Sequence, residues 1–356
     1  MLQQTRVDAV IERYERWLRR FPTLDDLARA DTDDVLHEWQ GLGYYARARN
    51  LHRAARVVRE VHNGVVPADA TALRALPGVG DYTAGAIASI AYGKREPAVD
   101  GNVRRVLCRL TDADLGARAL RELAAELMPR KRPGEFNQAL MELGATICAP
   151  RSPRCGECPL RDDCKAFAAG NQARRPAPKQ RAAVRGYDVA SLVVLDPDDR
   201  VLLRQRPHDG MLGGLWEFPG TIVRSARDAH QEVAPDDTVA PTGAVSAKPP
   251  AASLERGLVA AALATVADLL GDIAHGEPAH VGSLRHVFSH RIEMYHAIRV
   301  QLEEAPMNAP ADRCSWTSVS EIAALALSTA QARLARLALT GGEDGSWVVR
   351  RERPAP

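Results

Sequence analysis

Between positions 5 and 21 the apolar residues Val7, Val10, Ile11, Tyr14, Trp17, Leu18 and Phe21 recur at helical spacing, while Arg13, Arg16, Arg19 and Arg20 fill the remaining arc. This pattern predicts an amphipathic helix. Similar periodicity recurs over 32–40, 46–62, 83–92, 103–110, 117–128 and 135–147, separated by short Gly/Pro breaks and with hardly any β-rich run. Residues 1–170 therefore read as an all-α domain. The stretch 171–184 is polar, basic and proline-containing, the composition of a domain linker. Beyond it the period changes: 187–195 and 200–204 are β-branched and apolar, 292–302 alternates apolar and polar, and helices are predicted at 254–270 and 329–339. Residues 185–340 thus read as a small α/β domain. Within it 224–253 is Ala/Pro/Asp-rich without a period and reads as a flexible insertion, and 341–356 as a disordered tail.

A chain of 356 residues exceeds one small core and suits two domains. The formal net charge of +2 hides an asymmetry, because residues 1–187 carry a surplus of +8 and residues 188–356 a deficit of −6. The basic half points to a polyanionic partner such as nucleic acid, although a solvated arginine-rich surface has the same composition. The start of the chain shows no basic-then-apolar signal pattern, and no apolar run approaches the length of a bilayer span. The expected setting is cytoplasmic and reducing, without membrane attachment.

Four of the six cysteines, Cys148, Cys155, Cys158 and Cys164, follow the spacing C-x6-C-x2-C-x5-C, which suits wrapping around one compact inorganic core such as a [4Fe–4S] cluster. A structural zinc remains an alternative, but zinc sites pair two short knuckles, whereas only Cys155 and Cys158 make one here. Disulfides fit less well in a reducing compartment. The other two, Cys108 and Cys314, read as apolar core positions.

The segment Leu76-Pro77-Gly78-Val79-Gly80 lies between a short predicted helix at 69–75 and a longer one at 81–92. Gly78 and Gly80 allow a tight turn and leave backbone N–H groups uncovered at a helix N-terminus, where a phosphate is favoured. An ordinary αα-turn has the same local pattern. Hairpin and cysteine loop together resemble the endonuclease III superfamily of DNA glycosylases. Finer strings resemble its MutY-type adenine DNA glycosylases: MLQQT at 1–5, GLGYYARARNLH at 41–52, VDGNV at 99–103 and FNQALMELGA at 136–145.

This resemblance implies a helix–hairpin–helix glycosylase domain with a [4Fe–4S] loop at 148–164, followed by a Nudix-like α/β domain. It also implies a set of roles. Asp100 matches the catalytic aspartate, which places negative charge beneath an oxocarbenium-like sugar or attacks it transiently. Tyr82 and Asn102 match positions that support this aspartate and the leaving base. Gln4 and Tyr44 would wedge into the duplex when the target nucleotide is flipped out, with Gln3 near the opposite base. Asp100 also precedes the helix at 103–110 and suits an N-cap. Strand-cleaving relatives carry a Schiff-base lysine just after the hairpin, but this chain reads Gly80-Asp81-Tyr82-Thr83, so simple base removal is expected. The cluster would hold loop residues such as Arg151, Arg154 and Arg161 near phosphates.

In the second domain, Trp216-Glu217-Phe218-Pro219-Gly220 and the flanking strands resemble a Nudix fold. The helix that would bind magnesium in a Nudix hydrolase reads AAALATVADLLG at 260–271, without glutamates. A recognition role remains. The string His286-Val287-Phe288-Ser289-His290 matches the family's lesion-sensing loop, in which Ser289 would hydrogen-bond 8-oxoguanine and Phe288 and His290 would shape the contact. His286 itself reads as a solvent-facing strand residue.

The implied partner is double-stranded DNA containing A:8-oxoguanine or A:G mispairs, bound by a monomer. The resemblance also implies a general-acid glutamate just upstream of MLQQT, the string on which this sequence opens. No carboxylate here takes that role, and the polypeptide as written is expected to have little activity, leaving-group protonation being worth about two to four orders of magnitude. An upstream start and an impaired mismatch-binding protein are the competing explanations, and the survival of the other site residues favours the first. An endonuclease III-like pyrimidine glycosylase/lyase is the remaining alternative.

Overall fold

A computed structural model describes residues 1–3, 5–178, 184–226, 245–246, 252–288, 290–306, 313–341 and 347–349. The chain divides into two compact units. One comprises Met1–Pro22, Ala30–Arg49 and Ala182–Pro356, the other Thr23–Arg29 and Asn50–Arg181.

The second of these units is helical. Helices α2 (Leu24–Arg29), α4 (Ala46–Val61, which begins in the other unit), α5 (Ala70–Arg74) and α6 (Asp81–Ile90) precede α7 (Gly101–Thr111), α8 (Ala117–Leu127), α9 (Pro133–Thr146) and the short α10 (Lys165–Ala168). Leu73, Leu76 and Val58 form a buried core with the small residues Ala84 and Ala88 of α6. Val103, Val106, Leu107 and Cys108 of α7 form another with Leu120, Ala124 and Leu140. Start signals are local. Asp69 caps α5 by accepting from the N–H groups of Thr71 and Ala72, each at 2.9 Å, and Pro133 opens α9, where its missing N–H costs nothing.

The mixed unit contains α1 (Val7–Arg20) and α3 (Thr32–Glu38), whose Trp17 and Trp39 meet edge to face at 5.5 Å. It also contains an eight-stranded sheet. The strands are β1 (Arg185–Leu195), β2 (Val201–Gln205), β3 (Trp216–Glu217), β4 (Gly220–Ala226), β5 (Val245–Ser246), β6 (Ala279–Val287), β7 (Arg291–Gln301) and β8 (Cys314–Thr317). Strands β1 and β7 run parallel in unbroken register from Arg185↔Arg291 to Leu195↔Gln301. Alternate β1 residues point to opposite faces. Val189, Val193 and Leu195 pack toward α12 (Thr329–Ala338), while Ala190, Leu192 and Val194 pack toward α11 (Ala252–Leu270). Burial on both faces explains the near-continuous apolar run.

Two segments, 224–253 and 341–356, differ from their sequence expectation. Arg224–Ala226 completes β4 against β1, Val245–Ser246 pairs with β6, and α11 starts at Ala252, so secondary structure occupies parts of 224–253; the remainder lies outside the described residues. The start of the 171–184 stretch is anchored, with Asn171 and Arg175 bonded to Asp112 and the Ala177 N–H to Asp114. In the 341–356 tail, β9 (Leu339–Gly341) pairs with β10 (Trp347–Val349); the other tail residues lie outside the described set.

Candidate active site and iron–sulfur centre

Asp100 is the N-cap of α7, and its carboxylate is held from two directions. Oδ1 accepts from the Val103 N–H at 2.7 Å, and Oδ2 accepts from Asn102 Nδ2 at 3.1 Å. The cap and site readings therefore coincide in one geometry, since a capping bond fixes the orientation of the carboxylate. Asn102 is held in turn by Arg105. Arg105 Nη2 donates to Asn102 Oδ1 at 2.9 Å and to the Gly144 carbonyl at 2.6 Å, and its Nε donates to the Cys148 carbonyl at 2.8 Å. A continuous hydrogen-bonded path thus runs from Asp100 through Asn102 and Arg105 to the first cysteine of the loop.

Helix packing makes room for this path. A Cβ on Gly144 of α9 would lie 2.6 Å from Asn102 Cβ, so only glycine lets α9 approach the start of α7. Buried Asn137 fixes the loop leading to Asp100: its Nδ2 donates to Ser89 Oγ and the Glu96 carbonyl, and its Oδ1 accepts from the Ala98 N–H.

Asp100 lines a cavity of about 300 Å³ together with Tyr82, Pro97, Val99, Arg104 and Arg121. The Tyr82 hydroxyl donates to Met141 Sδ at 3.4 Å. Burial, and then the Asp100 charge, raise its pKa above the ordinary phenol value, so Tyr82 remains a neutral donor at physiological pH. Among the described residues no lysine lines this cavity. The adjoining hairpin puts Gly78 at φ +76°, where a Cβ would meet the Asn50 side chain at 2.5 Å. Gly80 is the N-cap of α6, no side chain caps that helix end, and open space surrounds the missing Cβ. A helix start of this kind leaves N–H groups that a phosphate can satisfy.

Cys148, Cys155, Cys158 and Cys164 all line one cavity, walled by Val106, Leu143, Ile147, Leu160 and Phe167, and none forms a disulfide. Among the described residues no group of three Cys, His, Asp or Glu side chains converges tightly enough to hold a metal ion. Four thiols lining one shared cavity suit a polynuclear cluster. Burial, and then the three neighbouring thiols, raise the Cys158 pKa; iron would offset that accumulation of negative charge. A buried cation lies beside the cavity. Arg109 is 3% exposed. It donates to Cys148 Sγ at 3.2 Å and to the carbonyls of Cys148, Ala149, Pro150, Gln172 and Arg175. Among the loop arginines, Arg154 pairs with Glu157 and Arg161 with Asp162, while Arg151 is exposed. Sequence reasoning missed Arg105 and Arg109; their spacing of four residues on α7 is the signal that both share one face.

In the mixed unit, Tyr44 is 50% exposed and Tyr45 only 3%, so the adjacent tyrosines point opposite ways. Arg47 lies over the Tyr44 ring at 5.5 Å and donates to the carbonyls of Met1, Gln3 and Leu42, tying the leading segment to the tyrosine loop. Gln3 is exposed. Gln4 and Ser289 lie outside the described residues. Phe288 sits in the β6–β7 turn, its N–H donating to the Arg291 carbonyl, and His290 is exposed. His286 is not a solvent-facing residue: its ring packs edge-on against Phe288 at 4.5 Å and its Nδ1 is buried. Helix α11 packs Leu258, Ala262 and Val266 into the core, and its 260–271 stretch offers no glutamate.

Comparison with known proteins gives a consistent result. Residues 1–130 match the HhH-GPD superfamily base excision DNA repair protein family, residues 148–164 the iron-sulfur binding domain of endonuclease III, and residues 190–337 the NUDIX domain. The adenine DNA glycosylase of Mus musculus is 34% identical over 386 residues, covering 95% of this chain and 70% of that protein. That of Arabidopsis thaliana is 39% identical over 268 residues, covering 64% and 42%. That of Mycobacterium tuberculosis is 46% identical over 194 residues, covering 53% and 64%. With its cysteine loop suited to a [4Fe–4S] cluster and its two matched domains, the chain belongs to the adenine DNA glycosylases.

Proposed function

We propose that this protein removes adenine mispaired with 8-oxoguanine or guanine in duplex DNA by hydrolysing the N-glycosidic bond, leaving the strand intact. The observation that carries this reading is Asp100, a carboxylate held by two hydrogen bonds in a 300 Å³ cavity that it shares with Tyr82. Departure of the base leaves positive charge on the deoxyribose, and a fixed carboxylate beneath the ring stabilises it without reorganising at the moment of reaction. Asn102 positions that carboxylate. The Tyr82 hydroxyl stands beside it as a neutral donor. Because tyrosine occupies the position where a strand-cleaving relative would need an amine, no covalent imine with the sugar can form there.

Gly78 and Gly80 would hold a phosphate of the duplex, Tyr44 and the Gln3-Gln4 segment would fill the space left by the flipped base, and Phe288, Ser289 and His290 would read the opposite base. The exposure of Tyr44 and the loop position of Phe288 support these assignments. The protein would act as a monomer. When bound, the cluster would order the 148–164 loop, and it takes no part in the bond-breaking step.

Duplexes carrying A:8-oxoguanine, A:G, A:T or an oxidised pyrimidine opposite G test the proposal. Alkali-labile sites should appear at the adenine of the first two only, at the slow rate expected without a general acid for the departing base, with no borohydride-trapped adduct. Release of the oxidised pyrimidine with a trapped adduct would replace the reading with a lyase. Tight binding of A:8-oxoguanine without base release would leave only a mismatch binder.

A further inference from the structure

Within the mixed unit a cleft of about 310 Å³ opens between α1, the end of α3 and α12, lined by Arg13, Arg16, Arg333 and Arg336 together with His37 and Thr329. Four guanidinium groups converge there, and the one carboxylate paired with them among the described residues is Glu38, bound to Arg16 at 2.7 Å. Arg13 uses Nε and Nη1 on the carbonyls of Gln40 and Ala9. Its Nη2 rests against Gly41, where a Cβ would come within 2.6 Å, so that glycine makes room for the guanidinium. Arg333 and Arg336 have no ion pair among the described residues.

Two atoms of the lining are buried without a hydrogen-bond partner among the described residues: Arg333 Nη1 and His37 Nδ1. A buried donor left unsatisfied is costly, and native proteins supply such groups with a partner. Thr329 opens α12, a helix of 10 residues whose N-terminus adds partial positive charge to the same wall. Like charges gathered in a concave, polar site favour an anion, and planar guanidinium forks match tetrahedral oxyanions.

We propose that this cleft is a phosphate-binding subsite, filled by a phosphate group held by the guanidinium groups of Arg333, Arg336 and Arg13 that line it. The site is separate from the Asp100 cavity and from the hairpin, and it does not depend on which base is excised. After burial, the Arg333 charge is the second cause that lowers the His286 pKa, and the His286 ring packs on Phe288 at 4.5 Å. The phosphate belongs either to the duplex backbone or to a small free molecule.

The test uses the full chain and inorganic phosphate. At constant ionic strength the melting temperature should rise as phosphate replaces chloride, and R333Q/R336Q should lose that rise. R336Q alone, at an exposed position, should lose part of it and guards against misfolding of the double variant. An equal phosphate response in the parent and both variants overturns the proposal. Where the response is lost, duplex binding across a salt series identifies the source. A log–log slope reduced by about 0.9 for each lost contact assigns the phosphate to DNA; an unchanged slope assigns it to a free phosphate-bearing molecule.

Discussion

Replacing Arg105 with glutamine tests whether the carboxylate is positioned from the cysteine loop. The guanidinium makes three short hydrogen bonds, to Asn102 Oδ1 (2.9 Å), the Gly144 carbonyl (2.6 Å) and the Cys148 carbonyl (2.8 Å). Hydrogen bonds to a charged group contribute roughly 1.5–3 kcal/mol each, but this side chain is only partly buried and water will satisfy some of the freed carbonyls. The expected destabilisation is therefore about 2–4 kcal/mol, a fall in Tm of very roughly 5–15 °C for a domain of this size. The effect on chemistry is smaller. Asp100 keeps its 2.7 Å bond from Val103 and loses only the anchoring of Asn102, worth about 1–2 kcal/mol, so single-turnover excision below the melting transition should slow roughly 5–30-fold. The assay is single-turnover release of adenine from an A:8-oxoguanine duplex, with iron absorbance followed in parallel. Lysine at the same position keeps the charge but cannot bridge three acceptors, and should recover stability more than rate. Excision by R105Q within about twofold of the parent, with iron retained, would refute the positioning argument.

Cys155→Ser should lose iron absorbance and duplex affinity together; an iron-free protein with unchanged binding would show that the loop needs no cluster to hold DNA. Gly144→Ala introduces a Cβ 2.6 Å from that of Asn102, an overpacking cost of about 1–3 kcal/mol, and should lower both Tm and excision rate; a silent substitution would mean that α7 and α9 separate freely. Asp188 has a depressed pKa, first through its hydrogen bond from His296 and then through Arg224. Its stabilisation is therefore present above the ordinary carboxylate pKa and lost as pH falls through the depressed value. In a thermal-melt series, the gap between parent and Asp188→Asn should be widest near neutrality and close in acid; a gap that widens in acid would reverse the assignment.

Helical periodicity was legible in α1, although of its apolar arc only Val10 and Trp17 within the helix are buried while Val7, Ile11, Tyr14 and Leu18 are exposed. Helix α7 starts before the apolar pattern does because its first turn is organised by the Asp100 cap. Strand β1 was legible as an apolar run because both of its faces are covered. Strand β6 was not, because its sequence AHVGSLRHV mixes the two classes: Ser283 is buried against His296 Nδ1 at 2.8 Å and His280 Nε2 at 3.0 Å, so polar residues occupy positions that an alternation rule reads as outward.

The two arginines of the site escaped for a related reason. Arg105 and Arg109 lie four apart on α7, and in the sequence they resemble the solvated arc of any amphipathic helix. Beside Asn102 Oδ1 and Cys148 Sγ, their main partners are carbonyl oxygens of residues 144, 148–150, 172 and 175. Every residue type carries a carbonyl, so no motif records where one is needed. What the sequence did carry were the fixed points that those carbonyls surround: the four cysteines, the hairpin glycines, and the aspartate that opens α7. A chain can be read for its ligands and caps because particular side chains supply them. The two cations that tie the cysteine loop to α7 become visible only once the backbone has folded around them, and each satisfies carbonyls from segments more than thirty-five residues away in the chain.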